Sequence, residues 1–173
     1  PRRQRQMCIR DSSNTDYEVY VRSACDDGSF STWSSVDFTT NPACGDTLYD
    51  SGGASGNYAS NELVTVTVYP DVTGDLVTFT FLSFDTESCC DDLTVYDGPS
   101  TSSPLVGTYA GSTLPDPITS SDSTGALTFV FDSDGSLQYG GYEILISCGP
   151  PPACPTPSTL AASNVTASSA DIS

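Results

Sequence analysis

Residues 44–148 predict an all-β fold, an antiparallel β-sandwich, on three observations. Short runs alternate apolar and polar residues with period two, as half-buried strands do. Each run is bounded by clusters of Gly, Pro, Asp or Ser, as at 69–74, 97–103, 122–125 and 132–141. No apolar pattern of helical period persists over three turns. Strands at this spacing, apolar on one face and threonine-rich on the other, pack in pairs of sheets.

The elements follow in order. Residues 1–12 (PRRQRQMCIRDS) carry four of the five basic residues of the chain. They are expected to be a translated adapter rather than native sequence, the other reading being a basic arm, so Cys8 is set aside from disulfide reasoning. In 13–41, Tyr17, Val19 and Val21 alternate with Glu18, Tyr20 and Arg22. A turn at Asp26-Asp27-Gly28, then Trp33, lead to a short strand at Val36–Thr39. This stretch resembles the last two strands of a fibronectin type III domain, which implies that Trp33 is a packing residue rather than a sugar platform. Residues 149–157 form a Pro-rich linker. Residues 158–173 (STLAASNVTASSADIS) resemble the opening of a second fibronectin type III domain, with strands near Leu160–Val165 and from Ala170. On that resemblance the chain is a piece of a longer string of β domains, and Cys25 and Cys154 pair with cysteines outside it.

Within 44–148 the inward positions are read as Val64, Val66 and Val68; Val77, Phe79 and Phe81; Leu127, Phe129 and Phe131; then Tyr142, Ile144 and Ile146. Between the second and third of these runs lies SFDTESCCDDLTVYDG, Ser83 to Gly98. An acidic loop (Asp85, Glu87, Asp91, Asp92) with adjacent Cys89 and Cys90 precedes a strand at Leu93–Tyr96, which stops at Asp97-Gly98. Carboxylates clustered at the mouth of a pinned strand suit a hard cation, because oxygen ligands then converge; the alternative is a solvated acidic loop.

Composition narrows the function. The formal net charge is −17, with no lysine and no histidine. Such a field repels phosphate backbones and anionic lipids, so nucleic acid is excluded as a partner and membrane insertion is not expected; no apolar run of about 18 residues is present. Without histidine or lysine, a Ser-His-Asp relay and lysine nucleophiles are absent, and no nucleophile elbow or phosphate loop occurs. The segment is therefore read as non-catalytic. Seven cysteines among short β-like runs indicate an oxidising, extracellular setting, secreted or cell-surface.

The unit 44–148 resembles a CUB domain, a β-sandwich jelly roll of secreted and cell-surface proteins. The resemblance rests on Cys44-Gly45, the run SGGASGNYASNE at 51–62, CCDDLTVYDG at 89–98, GTYAGSTLP at 107–115, FDSDGS at 131–136 and Gly141-Tyr142. It implies a calcium site built from Glu87, Asp92 and Asp134, with Asp85 as a substitute for Glu87. Two bridges usual in that family lack their second cysteine here, at positions near Tyr69 and Ala110. One remaining arrangement is Cys44 with Cys148, while Cys89 and Cys90 either bridge each other or stay reduced.

Two functions follow from the resemblance. The first is an adhesion and recognition module of a secreted or surface-displayed bacterial protein, in which the acidic loops bind a basic side chain of a partner protein. The second makes the same modules accessories of an exported peptidase or glycosidase whose catalytic domain lies elsewhere. An extracellular glycan stacking on Tyr58, Tyr109 or Tyr139 is a further candidate partner, the ordinary reading of those tyrosines being structural.

Overall fold

The computed structural model describes residues 15–25, 27–153, 162–163 and 171–172. The segment 1–12 and Cys154 lie outside them. Strands β1 (Asp16–Val21) and β2 (Ser34–Thr39) pair antiparallel as a hairpin of their own, with Tyr17 stacked on Phe38. Trp33, read as a packing residue, is 58% exposed, and the Arg22 guanidinium lies over both its ring and that of Phe30. A cation on an aromatic face gives that ring a packing partner. At the other end β11 (Ala162–Ser163) and β12 (Asp171–Ile172) pair antiparallel.

The middle of the chain forms two four-stranded antiparallel sheets. One has the order β3 (Thr47–Tyr49), β10 (Gly141–Gly149), β5 (Leu76–Asp85), β8 (Ile118–Thr119). The other has the order β4 (Leu63–Val68), β9 (Leu127–Asp132), β6 (Asp92–Asp97), β7 (Leu105–Tyr109). A single turn of 3-10 helix, Gly53–Ser55, interrupts the connection from β3 to β4.

Parity along each strand decides which residues meet between the sheets. Val66 and Val68 on β4, Phe129 and Phe131 on β9, and Leu93 and Val95 on β6 face Val77, Phe79 and Phe81 on β5 and Ile144 and Ile146 on β10. The core is aromatic along one line: Tyr58 meets Phe131 edge-on, Phe131 and Phe129 each meet Tyr142, and Phe129 meets Phe79, at centroid separations of 5.2 to 5.9 Å. Edge-to-face contacts of this kind add to simple burial because ring edges are positive and faces negative. The opposite faces carry threonine pairs, Thr67 with Thr128, Thr94 with Thr108 and Thr78 with Thr119.

Two backbone features shape the ends of the strands. Gly98 (φ 139°) ends β6 at the Asp-Gly turn, where Asp97 accepts hydrogen bonds from Ser120, Ser121 and the Asp122 N–H. Gly141 (φ 70°) opens β10 with the Asp50 carboxylate against its Cα, where any Cβ would overlap it, and Asp50 accepts the Tyr142 N–H at 2.9 Å. The register of β10 against β5 shifts between Glu143 and Ile144, which leaves Leu82 as the extra residue of a bulge.

Cys44 and Cys148 are bridged across 104 positions of sequence, joining the first and last segments of the sandwich. In the chain-entropy picture a loop of this length stabilises by about 5 kcal/mol. The double variant Cys44→Ala/Cys148→Ala is expected to lose about that much in denaturant unfolding. A loss below about 1 kcal/mol would show that the sandwich needs no staple.

Candidate metal centre

The acidic loop leaves β5 at Asp85 and returns into β6 at Asp92, so its residues sit over one end of the sandwich. Thr86 anchors the near side: its N–H donates to the Gly111 carbonyl at 2.9 Å, and its hydroxyl accepts the Gly111 N–H and donates to the Asp91 carbonyl, both at 3.0 Å. The Asp91 N–H closes the loop on the Glu87 carbonyl at 3.3 Å.

Asp91 is fully buried. Its Oδ2 accepts the Tyr58 hydroxyl proton at 2.5 Å, and its Oδ1 accepts the Asp134 N–H at 2.6 Å. The same Tyr58 hydroxyl accepts the Glu87 N–H at 3.1 Å. One phenol therefore ties together the loop before β4 and the loop before β6. Burial, then the bond to Asp91, push the Tyr58 hydroxyl up to about 12, so it remains a donor at any ordinary pH. Asp134 caps its own turn, accepting the Ser136 N–H at 2.8 Å.

One carboxylate oxygen from each of Glu87, Asp91 and Asp134 lies within 4.8 Å of the others. Glu87 Oε2 is buried and has no hydrogen-bond partner. Loss of solvent, then the charges of Asp134 and Asp91, raise the Glu87 carboxyl above its ordinary value. No basic side chain offsets this group: the one basic residue among those described is Arg22, stacked on Phe30 and Trp33. An unpartnered buried oxygen facing two further carboxylates is what a hard divalent cation satisfies, and calcium takes such oxygens together with carbonyls and water.

Glu87 and Asp134, both expected from the sequence, come together here. Asp91 joins them, and Asp92 does not. Asp92 lies on the outer face of β6, opposite Asp132, with its Oδ1 accepting the Thr94 hydroxyl at 3.0 Å. Asp85, paired with Gly141 at the end of β5, is likewise outside the group. Strand parity carries the signal for Asp91: it is in phase with buried Leu93 and Val95, whereas Asp92 is in phase with Thr94 and Tyr96. Tyr58, a candidate sugar platform by sequence, is 1% exposed and belongs to this centre; Tyr109 is half-buried and Tyr139 is 40% exposed. A second acidic pair, Asp50 and Glu62, serves loop structure: Asp50 accepts the Gly52 N–H, and Glu62 Oε1 accepts the Ala59 N–H and the Ser51 hydroxyl, while its Oε2, like that of Glu87, is buried without a donor.

Residues 55–145 match the sequence profile of the CUB domain family. Over 73 residues, 40% of this chain, the sequence is 41% identical to cubilin of Sus scrofa, and over 82 residues, 44% of this chain, it is 39% identical to Tolloid-like protein 2 of Homo sapiens. These stretches span 2% and 8% of the two relatives' lengths. Among solved structures, the full extracellular region of zebrafish Gpr126/Adgrg6 superposes with a TM-score of 0.51 at 22% identity, covering 62% of this chain and 14% of that one. No helix among the described residues is long and apolar enough to cross a membrane.

Two outcomes follow from this geometry. Tyr58→Phe leaves buried Asp91 short of a donor and is expected to destabilise the fold by about 2 kcal/mol, within the range for a buried acceptor left without its partner; an unchanged denaturation midpoint would remove the phenol from the centre. In chelator, Glu87 holds its proton more tightly folded than unfolded, because its carboxyl is raised. Stability therefore rises as pH falls from that raised value toward the ordinary glutamate value of about 4.3. Asp50, raised chiefly by burial, has the same sign, so Glu87→Gln reduces the rise without abolishing it. Asp97 works in the opposite sense: burial pushes it up, but bonds from Ser121, Ser120 and Asp122 outweigh this and leave it lowered. Its stabilisation is lost as pH falls through that depressed value, which bends the profile over in acid. Melting curves between neutral pH and about pH 3 read both signs.

Proposed function

The chain belongs to the CUB domain family, whose members are extracellular protein-interaction modules, and on that premise we propose that it is a calcium-dependent recognition module for basic protein surfaces. The observation that carries this reading is the convergence of Glu87, Asp91 and Asp134 with Glu87 Oε2 buried and unpartnered. In it, Glu87, Asp91 and Asp134 hold calcium, while the Tyr58 hydroxyl fixes the Asp91 carboxylate in place. When bound, the cation supplies positive charge that lets three carboxylates share a small volume. The loops from Glu87 to Asp92 and from Asp132 to Asp134 then present a fixed, still acidic surface. A lysine or arginine of the partner pairs with carboxylate oxygens there, combining charge with set geometry.

The module is non-catalytic in this reading and works outside the cell, in a bacterial protein that carries fibronectin type III domains on either side. The hairpin β1–β2, with the pair β11–β12 at the other end, supports that arrangement. A domain search of the sequence on either side tells whether the partner is an adhesion surface or the substrate of an exported hydrolase.

Calcium titration of the full chain by calorimetry, with melting in calcium and in chelator, tests the site. Saturable binding and a melting point raised by calcium are expected, since a ligand that binds only the folded state stabilises it. Asp91→Ala and Glu87→Ala abolish both effects, and Asp92→Ala keeps them. Loss of binding in Asp92→Ala with retention in Asp91→Ala would overturn the assignment, and absence of binding in the wild type would overturn the calcium reading altogether.

A further inference from the structure

The loop that supplies Glu87 and Asp91 contains a second covalent feature. Cys89 and Cys90, neighbours in sequence, are joined in a disulfide with their Cα atoms 3.7 Å apart. Both residues are exposed. Their sulfurs and a Glu87 carboxylate oxygen lie within 4.8 Å of one another. The Cys90 N–H faces the Glu87 carbonyl at 3.5 Å, and the Asp91 N–H shares that acceptor at 3.3 Å.

Stabilisation of the fold does not account for this bridge. A disulfide removes entropy from the unfolded chain by closing a loop, and the gain grows with loop length. Cys44–Cys148 closes 104 positions, whereas Cys89–Cys90 closes one. What it does constrain is local: it fixes the backbone at the middle of the short segment that separates two of the three converging carboxylates.

We propose that Cys89–Cys90 is a site of reversible thiol–disulfide exchange that sets the affinity of the adjoining cation centre. The proposal rests on the reading of Glu87, Asp91 and Asp134 as a calcium site. The reductant is a dithiol. One of its thiolates attacks an exposed sulfur of the pair, the Cys89–Cys90 bond breaks, and a mixed disulfide forms with one cysteine. The reductant's second thiol then displaces that cysteine. Two electrons pass to the protein, a proton ends on each of Cys89 and Cys90, and the dithiol leaves as its own disulfide. Opening the ring frees the backbone between Glu87 and Asp91, and calcium must then order it again. Ordering about one residue's worth of backbone corresponds to roughly a tenfold loss of affinity. Linkage makes the effect reciprocal: bound calcium resists reduction of the bridge by the same factor.

The experiment uses the full chain in a dithiol redox buffer, with thiol alkylation and mass analysis to identify the species in which Cys89 and Cys90 are reduced and Cys44–Cys148 is intact. Calcium affinity is measured by calorimetry for the oxidised and reduced forms and for Cys89→Ser/Cys90→Ser. The oxidised form is expected to bind calcium about tenfold more tightly than the reduced form. The serine variant should match the reduced form and ignore the reductant, and calcium should shift the fraction reduced by the same factor. Equal affinity in both redox forms, or a redox equilibrium indifferent to calcium, would overturn the proposal while leaving the calcium site standing. Absence of calcium binding in every form would overturn the site itself and the proposal with it.

Discussion

A carboxylate with no access to water needs protein groups in place of the water it has lost, and Asp91 has them. The replacement comes from two directions, the Tyr58 hydroxyl and the Asp134 N–H. Each belongs to a different loop, so three separate stretches of chain meet around one side chain. The Tyr58 ring then packs edge-on against Phe131, which carries the arrangement into the aromatic line of the core. The placing of the acidic end is thus a consequence of satisfying one buried carboxylate.

Other acidic residues of the sandwich show what makes Glu87 different. Asp97 receives bonds from Ser120, Ser121 and the Asp122 N–H, Asp122 from Thr124, and Asp50 from Gly52 and Tyr142. These carboxylates close turns, and their negative charge is spread over donors of the chain itself. Glu87 is raised by loss of solvent and then by the neighbouring Asp134 and Asp91, and one of its oxygens has no donor at all. An abundance of aspartate is therefore mostly loop chemistry; among the described residues the buried carboxylate oxygens without a donor belong to Glu87 and Glu62, and of these only Glu87 has the carboxylates of Asp91 and Asp134 within 4.8 Å.

Most of the sandwich was legible because alternation is a local property: the valines of β4 and the phenylalanines of β5 and β9 declare their inner face within a few residues. Three strands escaped this reading. β3 has three residues and β8 two, too few for a period, and in β7 Leu105 and Val106 are adjacent apolar residues with Gly107 in the middle of the run. At the site, Glu87 and Asp134 could be named from motif position, whereas choosing between Asp91 and Asp92 required the phase of β6, which the adjacent buried Leu93 and Val95 supply. Tyr58 was the least accessible from sequence, since its partners are 29 and 33 positions away and only the folded chain brings them together. The same holds for Cys89 and Cys90, where sequence adjacency says nothing about whether the sulfurs are joined.

The bridge between Cys44 and Cys148 also has a mechanical meaning. Its Cα atoms are 5.6 Å apart although 104 positions separate them in sequence. Tension applied to the chain on either side of the sandwich passes from one cysteine to the other through a covalent bond, and the strands between them carry none of it. Under load the domain behaves as a pendant on the chain, contributing little to its extension and keeping its acidic loops folded while neighbouring segments stretch.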